Sequence, residues 1–197
     1  VLAPGTSRTL PLCFAVIAEK SEPIGSFRKG IFSPKEDLEQ PSFPQPPIEG
    51  KLPVCSIGSD FSAITAKHSG RVLDVPGAST ADNVNLDQYT NWGADNEKWM
   101  FESTGDGYFK ISSKHSGKCM DVKGASNSSG TNVVQYSCGS GSNQRFQLLP
   151  YGDGYFSIQA KHSSQCLDIA GGALGDGGLL IQWPCAWTDN EKFRFSR

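Results

Sequence analysis

The chain has 197 residues, a length that suits one or two small domains. Its formal net charge of −2 gives no electrostatic reason to expect binding to nucleic acid or to an anionic membrane. With 22 glycines, 12 prolines and only 19% charged residues, the composition favours short strands and turns over helices, and no apolar run is long enough to span a bilayer.

The first 55 residues form a distinct N-terminal arm. Its stretch FSPKEDLEQPSFPQPPIEGKLP contains six prolines and is predicted to be mostly irregular, with short strands before it at CFAVIAE and SFRKGIF. The run LPLCFAVIA has the length of a signal-peptide core, but we interpret it as a buried strand and Val1 as the start of a processed or truncated chain. We expect the arm to pack against the main domain; the alternatives are the tail of an upstream domain or a docking segment for a protein partner.

Residues 61–197 contain three tandem copies of one unit, which we place at 61–107, 108–154 and 155–197. Ile64, Ile111 and Ile158 are 47 positions apart, and the same step relates His68, His115 and His162. A fixed period of this size indicates one supersecondary unit that is repeated because a single copy is unable to bury its apolar face alone.

Each repeat is predicted to form four short strands. In the second repeat these are YFKISS, CMDV, NVVQYSC and QRFQLL, which alternate apolar and polar residues or are rich in β-branched residues. Twelve strands with pseudo-threefold symmetry close into an all-β structure without exposed edges. Its core should contain the recurring apolar positions Ile64, Ile111, Ile158, Leu73, Met120, Leu167, Trp99, Phe146 and Phe193.

The cysteines of the repeats occur or are lost in pairs. The second repeat has Cys119 and Cys138, the third has Cys166 and Cys185 at the equivalent positions, and the first has Val72 and Asn91 there. Because a bridge tends to lose both ends together, we predict the disulfides Cys119–Cys138 and Cys166–Cys185, and Cys13–Cys55 by elimination. Three bridges imply an oxidising compartment and a secreted protein. A zinc site is the rival interpretation, and the lack of C-x-x-C spacing disfavours it.

The motifs GKCMDV…QYSC…NQRF, SQCLDI…QWPC…NEKF and GRVLDV…QYTN…NEKW resemble the ricin-type β-trefoil lectins, a family also classed as carbohydrate-binding modules. The resemblance covers residues 61–197, about 70% of the chain, and implies a lectin domain over residues 56–197. It implies a β-trefoil of three four-stranded repeats, which the proline-rich N-terminal extension precedes, with up to three sugar sites. No Ser/His/Asp order, paired catalytic carboxylates or phosphate loop stands out in residues 61–197, so we expect no catalytic residues, and we expect neither a cofactor nor a metal.

By the same resemblance, an aspartate in each repeat accepts hydrogen bonds from sugar hydroxyls, an aromatic stacks on the ring and an asparagine completes the site. The sets are Asp74, Tyr89 and Asn96; Asp121, Tyr136 and Asn143 with Gln144; and Asp168, Trp183 and Asn190. We expect the aspartates to face solvent. The alternatives are that the aspartates only form turns and that the asparagines are structural turn residues.

Further residues near these sets admit more than one role. Strict alternation along the strand turns Gln88, Gln135 and Gln182 toward the core, which leaves two interpretations open: a buried glutamine bonded to backbone, or a ligand contact. Glu97 and Glu191 stand where the family has glutamine, so they keep an acceptor and lose the amide donor.

Two departures from simple expectations concern the repeats. Many relatives have glutamine two residues before the aromatic of the site, where this chain has Asp87, Val134 or Ile181, and we expect the first site to be the weakest. The three histidines, each in a KHS triplet, are interpreted as solvated turn residues and not as a metal or catalytic site.

Three functions remain open at this stage. The first is a secreted, non-enzymatic lectin that binds glycans with galactose-type ends or a polysaccharide. The second is a glycan-targeting subunit or C-terminal module of a toxin or glycoside hydrolase whose catalytic part lies elsewhere. The third is a trefoil that binds a protein, which the three equivalent Asp, aromatic and Asn sets disfavour, because a protein-binding surface has no need to repeat a site.

Overall fold

The structure, a computed structural model, describes residues 60–196 of the chain. These residues form thirteen β-strands and six single turns of 3₁₀ helix, and none of them lies in an α-helix. Within this range there is accordingly no helix with the length and apolarity needed to cross a membrane. The predicted N-terminal arm, its boundary at residues 55 and 56, and the predicted Cys13–Cys55 bridge lie outside the described residues.

The strands follow the three repeats. The first repeat contains β1 (Ser62–Ala66), β2 (Val72–Asp74), β3 (Val84–Asn85), β4 (Asp87–Tyr89) and β5 (Lys98–Ser103). The second contains β6 (Phe109–Ser113), β7 (Cys119–Val122), β8 (Val133–Tyr136) and β9 (Phe146–Gly152). The third contains β10 (Tyr155–Ala160), β11 (Cys166–Ile169), β12 (Gly178–Trp183) and β13 (Phe193–Ser196). The 3₁₀ turns are Pro76–Ala78, Asp95–Glu97, Lys123–Ala125, Ser142–Gln144, Ala170–Gly172 and Asp189–Glu191.

The prediction of four strands per repeat is confirmed in the second and third repeats but is wrong by one strand in the first. There the third strand is divided at Leu86, because its two halves pair with different repeats: β3 with β8 and β4 with β12. The Leu86 N–H donates to the carbonyl of Val133, and its own carbonyl accepts from the N–H of Leu180, both at 2.9 Å. Leu86 is thus a junction of all three repeats.

Six strands form a closed barrel. In order around the ring, β1 pairs with β5, β5 with β6, β6 with β9, β9 with β10, β10 with β13, and β13 with β1, all antiparallel. Every repeat contributes its first and last strand to this ring. The ring has no free edge, which is the closure that the repeated pattern predicts.

Three hairpins lie at one end of the barrel and complete a β-trefoil. They are formed by β2 with β4, β7 with β8, and β11 with β12. Neighbouring hairpins are joined by the β4–β12 and β3–β8 pairs and by a single bridge between Asn132 and Ile181. Each hairpin is also paired to the first barrel strand of its own repeat.

The predicted core is confirmed. All nine recurring apolar residues are fully buried and belong to one hydrophobic cluster: Ile64, Ile111, Ile158, Leu73, Met120, Leu167, Trp99, Phe146 and Phe193. Burying each such side chain contributes about 1.5–3 kcal/mol. Trp99 keeps its polar atom satisfied, because its indole Nε1–H donates to the carbonyl of Leu73 at 2.9 Å. Phenylalanine at the equivalent positions needs no such acceptor.

Both predicted disulfides inside the repeats are present, Cys119–Cys138 and Cys166–Cys185. Each joins the first strand of a hairpin to the segment that follows the second strand. In the first repeat Val72 is fully buried, and the side-chain oxygen of Asn91 accepts from the N–H of Gly93 at 2.9 Å. Packing and a local hydrogen bond thus take the place of the bridge.

The buried interpretation holds for Gln88, Gln135 and Gln182, each with no exposed surface. Each Nε2 donates to two backbone carbonyls of another repeat, for example from Gln135 to Ser79 and Ala81, both at 2.8 Å. Each Oε1 accepts from a serine hydroxyl of its own repeat, at 2.7–2.8 Å. The alternative role of these glutamines as ligand contacts is therefore corrected, because their amides hold neighbouring repeats together.

The histidines are only in part the solvated turn residues that the sequence predicts. His115 is exposed, whereas His68 and His162 are half-buried. The Nε2 atoms of His68 and His162 form hydrogen bonds with the carbonyls of Ala173 (2.8 Å) and Ser126 (3.0 Å) in a neighbouring repeat. His68 and His162 are half-buried because these carbonyls belong to the same loops that the buried glutamines contact.

Candidate functional site

Each repeat brings its predicted aspartate and aromatic together in the hairpin and its asparagine to the 3₁₀ turn beside it. Asp74 ends β2, and Tyr89 ends β4, the paired strand. Asn96 lies in the 3₁₀ turn that precedes the barrel strand β5. The other two repeats have the same arrangement, so the three sets form three separate sites, which we call the first, second and third site after their repeats.

The aspartates do not face solvent as the sequence predicts. Asp74, Asp121 and Asp168 are only 4%, 6% and 5% exposed. Strand alternation alone suggests exposure, but the loop and 3₁₀ turn that follow the hairpin fold over each carboxylate. Asp74 and Asp168 line clefts, where a hydrogen bond to a ligand is shielded from water.

In the first and third sites the asparagine holds the aspartate. Asn190 Nδ2 donates to Asp168 Oδ2 at 2.7 Å and to the carbonyl of Ile169 at 3.1 Å. Asn96 Nδ2 donates in the same way to Asp74 Oδ1 and to the carbonyl of Val75. These bonds fix the direction of the carboxylate and leave the asparagine Oδ1 as an acceptor for other groups.

The second site uses a different amide for the same purpose. Gln144 Nε2 donates to Asp121 Oδ2 at 2.8 Å and to the carbonyl of Ser137 at 3.0 Å. Asn143 Nδ2 donates to the carbonyl of Val122 at 3.2 Å. The predicted site residue Gln144 is thus 4% exposed and positions the aspartate from behind.

Glu97 and Glu191 hold the loop that follows the aromatic. Glu97 accepts from the N–H groups of Trp92 and Ala94 at 3.0–3.1 Å. Glu191 accepts from the N–H groups of Ala186 and Trp187 at 2.8 and 2.7 Å. Both glutamates are buried, so the acceptor role that the sequence predicts is used inside the protein.

The charge of these glutamates distinguishes the sites. Burial raises the pKa of Asp74 to about 6, and the Glu97 carboxylate adds to the increase. Burial and then the Glu191 carboxylate raise the pKa of Asp168 to about 7. Burial raises the pKa of Asp121 too, while hydrogen bonds from amide groups such as Gln144 oppose the increase.

The aromatics are the exposed members of each set. Tyr89, Tyr136 and Trp183 are 41%, 39% and 46% exposed. Their outward orientation is the one that alternation predicts, because Leu86, Val133 and Leu180, three positions earlier, are fully buried. Each ring therefore presents a flat apolar surface beside a buried carboxylate.

Two of the sites are clefts of measurable volume. The first has about 410 Å³ and is lined among others by Asp74, Asp87, Tyr89, Trp92 and Asn96. The third has about 510 Å³ and is lined among others by Asp168, Ile181, Trp183, Thr188 and Asn190.

Sequence reasoning missed two features of the first cleft. Trp92 is 75% exposed and lines it, although glycine and alanine occupy the equivalent positions 139 and 186. Asp87 points into the same cleft and was noted in the sequence only as a departure from the family pattern. A comparison of repeats finds what recurs, so a residue present in one copy gives no signal.

The three sites share one set of chemical groups. Within residues 60–196, no three histidine, cysteine, aspartate or glutamate side chains are grouped so that they could hold a metal ion. What each site offers is a carboxylate acceptor, an amide and an aromatic surface.

Comparison with known proteins adds independent information. The model of the family described as ricin-type beta-trefoil lectin domain-like matches residues 54–136, 95–183 and 142–197. Among solved structures the chain is similar to the designed threefold-symmetric protein ThreeFoil, at 42% identity and a TM-score of 0.69, over 70% of this chain and 98% of that chain. Comparison with curated protein sequences gives no match.

Two natural proteins have the same fold. Similarity to 1,3Gal43A, an exo-beta-1,3-galactanase from Clostridium thermocellum, is at 31% identity and a TM-score of 0.68, over 71% of this chain but only 30% of that chain. Similarity to the ricin B-like lectin of Macrolepiota procera, solved in complex with lactose, is at 20% identity and a TM-score of 0.62, over 71% and 96% of the two chains. At 20% identity the likeness concerns the fold alone.

Proposed function

This chain belongs to the ricin-type beta-trefoil lectin domain-like family, and we propose that it binds carbohydrate through three repeat-related sites. One observation carries the proposal: in every repeat a buried aspartate, held by a side-chain amide, lies beside an exposed aromatic ring. A site that recurs three times on one rigid body suits a ligand that itself repeats, as glycans do.

The chemistry of each site matches a pyranose ring. The C–H face of the ring stacks on the exposed Tyr89, Tyr136 or Trp183, where apolar contact is gained without burying a polar group. The ring hydroxyls donate to the buried aspartate, and a hydrogen bond to a charged acceptor is about twice as strong as a neutral one. The amide that holds the aspartate keeps it oriented before the ligand arrives, which lowers the ordering cost of binding.

The ligand class that we propose is a glycan with galactose-type ends or a polysaccharide built from such sugars. The similar galactanase acts, by its name, on a β-1,3-galactan, and this chain covers 30% of that protein. A β-1,3-galactan is therefore the first polymer to test. The three sites are proposed to bind without a metal or other cofactor.

We further propose that the protein is secreted and that residues 60–196 form a binding domain without catalytic residues. Two disulfides at the hairpins are consistent with folding in an oxidising compartment. Because this chain spans less than a third of the galactanase, the second candidate function is that of a glycan-targeting module attached to, or associated with, a catalytic part. A protein partner that binds the N-terminal arm stays a prediction.

A glycan array followed by titration calorimetry tests the proposal. We expect binding to galactose-type ends or β-galactans, retained in the presence of EDTA. The matched variant is Asp74→Asn, Asp121→Asn and Asp168→Asn combined, which keeps the size of all three side chains and removes their charge. Binding by this triple variant at the level of the unaltered protein, with thermal melts showing that both are folded, would contradict the proposed sites. No glycan binding by the unaltered protein would contradict the function.

A further inference from the structure

Asp87 is a buried carboxylate that lacks a full set of partners. It is 7% exposed, and its Oδ1 atom is buried without a hydrogen-bond partner within residues 60–196. Leaving a buried charged oxygen unpaired costs free energy that a protein ordinarily avoids. The side chain lines the first cleft, so this carboxylate lies next to the space that a ligand would occupy.

Asp87 lies directly opposite Asp74 in the β2–β4 ladder. Residues opposite each other in an antiparallel pair project from the same face, so the two carboxylates enter the first cleft side by side. The equivalent pairs are Asp121 with Val134 and Asp168 with Ile181. Only in the first site is this pair of opposed residues made of two carboxylates; in the other two sites a carboxylate lies opposite an apolar side chain.

The charges around Asp87 are mostly negative. Burial, and after it the carboxylates of Asp74 and Asp176, raise the pKa of Asp87 to about 7, and Glu97 acts in the same direction on Asp74. Asp176 is itself paired with Arg71 at 2.5 Å, and no cation is paired with Asp74 or Asp87 within residues 60–196. The first cleft thus has an unneutralised negative potential that a cationic group would relieve.

The same cleft has two exposed aromatic rings. Tyr89 is 41% exposed and Trp92 is 75% exposed, and both line the cleft. A cation over the face of tryptophan or tyrosine is attracted to the ring, which adds to the attraction of the carboxylates. No tryptophan occupies the position of Trp92 in the other two repeats.

We propose that the first cleft binds an amino sugar that carries a free, protonated amine, with the ammonium group between Asp74 and Asp87 and the ring against Tyr89 or Trp92. This inference rests on the proposed function, because it names the sugar class of one of the three sites. The second and third sites, with Val134 and Ile181 in place of Asp87, are assigned to neutral sugars.

A divalent cation is the competing occupant, and the ligand set disfavours it. Glu97, the third carboxylate nearby, already accepts hydrogen bonds from the backbone of Trp92 and Ala94. Two carboxylates alone form a poor site for Ca²⁺, which takes six to eight oxygen ligands. A single ammonium group, with three N–H donors, matches two carboxylates well.

The experiment isolates the first site and compares matched sugars. In the Asp121→Asn, Asp168→Asn background, calorimetry at about pH 7.0 measures galactosamine against galactose and N-acetylgalactosamine, with glucosamine and its counterparts as a second series. We expect the free amine to bind about tenfold more tightly than either neutral sugar, as a charge-assisted bond to a buried carboxylate requires. Asp87→Val, which copies the second repeat, should reduce this preference to about twofold or less.

A gain of function is the reciprocal test. Ile181→Asp in the Asp74→Asn, Asp121→Asn background places the second carboxylate in the third site and should create the same preference for the amine. Because a buried charge can prevent folding, a measurement on the unaltered protein accompanies the variants. Titrations at about pH 6.5 in buffers of different ionisation enthalpy should show more proton release with galactosamine than with galactose, since the ammonium group favours the ionised form of Asp87.

The results separate this inference from the proposed function. Neutral sugars bound at the second and third sites, with no amine preference at the first site and equal proton release for both sugars, would overturn the inference alone. Amine binding that needs Ca²⁺ and is abolished by EDTA would also overturn it. If no sugar binds to any site of the unaltered protein, both the function and the inference fail.

Discussion

The side-chain amide of Asn190 donates to the carboxylate of Asp168 across 2.7 Å, from the 3₁₀ turn to the hairpin strand β11. Asn96 and Asp74 are joined in the same way in the first repeat. In the second repeat the bond to Asp121 comes from Gln144. The equivalent aspartate is therefore held by an asparagine in two sites and by a glutamine in the other. Comparing the sites shows which amide positions the aspartate in each repeat.

Replacing Asn190 by alanine should weaken sugar binding at the third site. The variant loses the bond that orients Asp168, and we expect affinity to fall about tenfold, because one hydrogen bond to a charged group contributes about 1.5–3 kcal/mol. The free energy of unfolding should fall by about 1 kcal/mol, since the bond to the Ile169 carbonyl is lost as well. Calorimetry in an Asp74→Asn, Asp121→Asn background measures the first effect, and denaturant melts measure the second.

Asn143→Ala is the matched control, because Asn143 Nδ2 donates to the Val122 carbonyl and, of the two amides whose hydrogen bonds lower the pKa of Asp121, Gln144 has the larger effect. We expect Asn143→Ala to weaken the second site less than Gln144→Ala does. The reverse order would mean that the asparagines contact the sugar directly and that holding the aspartate is not their role.

Affinity for neutral sugars should depend on pH differently at the second and third sites. Asp168 has a pKa raised to about 7 by burial and by Glu191, and a protonated carboxyl is a poorer acceptor for sugar hydroxyls. Affinity at the third site should thus level off above about pH 8 and approach a tenfold fall per pH unit below about pH 6. Burial raises the pKa of Asp121 as well, but its neighbour is the neutral Gln144 and not a carboxylate. The second site should therefore keep its affinity to lower pH.

Single-site variants titrated from about pH 8 to pH 5 measure this difference. Glu191→Gln is the informative control, because it copies the second repeat at the loop anchor and removes the negative charge beside Asp168. It should move the loss of third-site affinity toward lower pH. A third site whose affinity is constant over the whole range would contradict the assigned role of Asp168.

How far the sequence predicts this molecule follows from what repeats in it. The 47-residue period identifies the fully buried Ile64, Ile111 and Ile158, and alternation assigns opposite environments to neighbours such as Gln135 and Tyr136. These are properties of a single repeat. The burial of the aspartates is not, because the loop that covers each one is folded over it by a buried Glu or Gln anchor.

Contacts between repeats and features of one copy are equally hidden from the period. The division of the first repeat's third strand at Leu86 comes from its pairing with two other repeats. Asp87 and Trp92 occur in one repeat only, so aligning the copies gives no reason to join them in one cleft. The local pattern thus predicts the fold and the positions of the recurring site residues, while the residues specific to one site come from its tertiary neighbours.

Gln135 and Tyr136 are adjacent in β8 and should respond to substitution in opposite ways. Gln135→Ala removes bonds to Ser79, Ala81 and Ser116 and leaves buried carbonyls unpaired, so the free energy of unfolding should fall by about 2–4 kcal/mol. Tyr136→Ala removes an exposed ring and should change it by about 0.5 kcal/mol while abolishing second-site binding. Denaturant melts and calorimetry on both variants test this. A stable Gln135→Ala protein with reduced sugar affinity would return the glutamine to the ligand site.

The first repeat supplies a natural design for removing a disulfide. Cys119→Val with Cys138→Asn copies the residues at positions 72 and 91, where a buried valine and a local hydrogen bond replace the bridge. The bridge closes a loop with a sequence separation of 19 residues, so its loss should cost about 3 kcal/mol of unfolding free energy. Second-site binding should persist at a temperature where the variant is folded. An unchanged denaturation midpoint would show that the valine and asparagine stabilise the hairpin as much as the disulfide does.

Because three sites lie on one rigid body, retention on a glycan surface should depend more strongly on the number of intact sites than binding of free sugar does. A shallow site with one stacked ring and a few hydroxyl bonds should bind a monosaccharide at about 0.1–1 mM. Sites that reach the same surface gain effective concentration, and avidity exceeds single-site affinity by about 10²–10⁴. Asp121→Asn should therefore remove one site from the stoichiometry for a neutral sugar that all three sites bind, yet cut retention on a dense galactan surface by about tenfold or more.

Asp121→Asn with Asp168→Asn should nearly abolish retention of a neutral glycan, because a single remaining site gains no avidity. Asparagine is chosen over alanine since both aspartates are buried, at 6% and 5% exposed, and a cavity would confuse binding with stability. Surface retention and solution calorimetry are compared on the same preparations, with thermal melts as the control for folding. If retention falls only in proportion to the number of sites removed, the sites act independently, and the threefold arrangement does not serve multivalent binding.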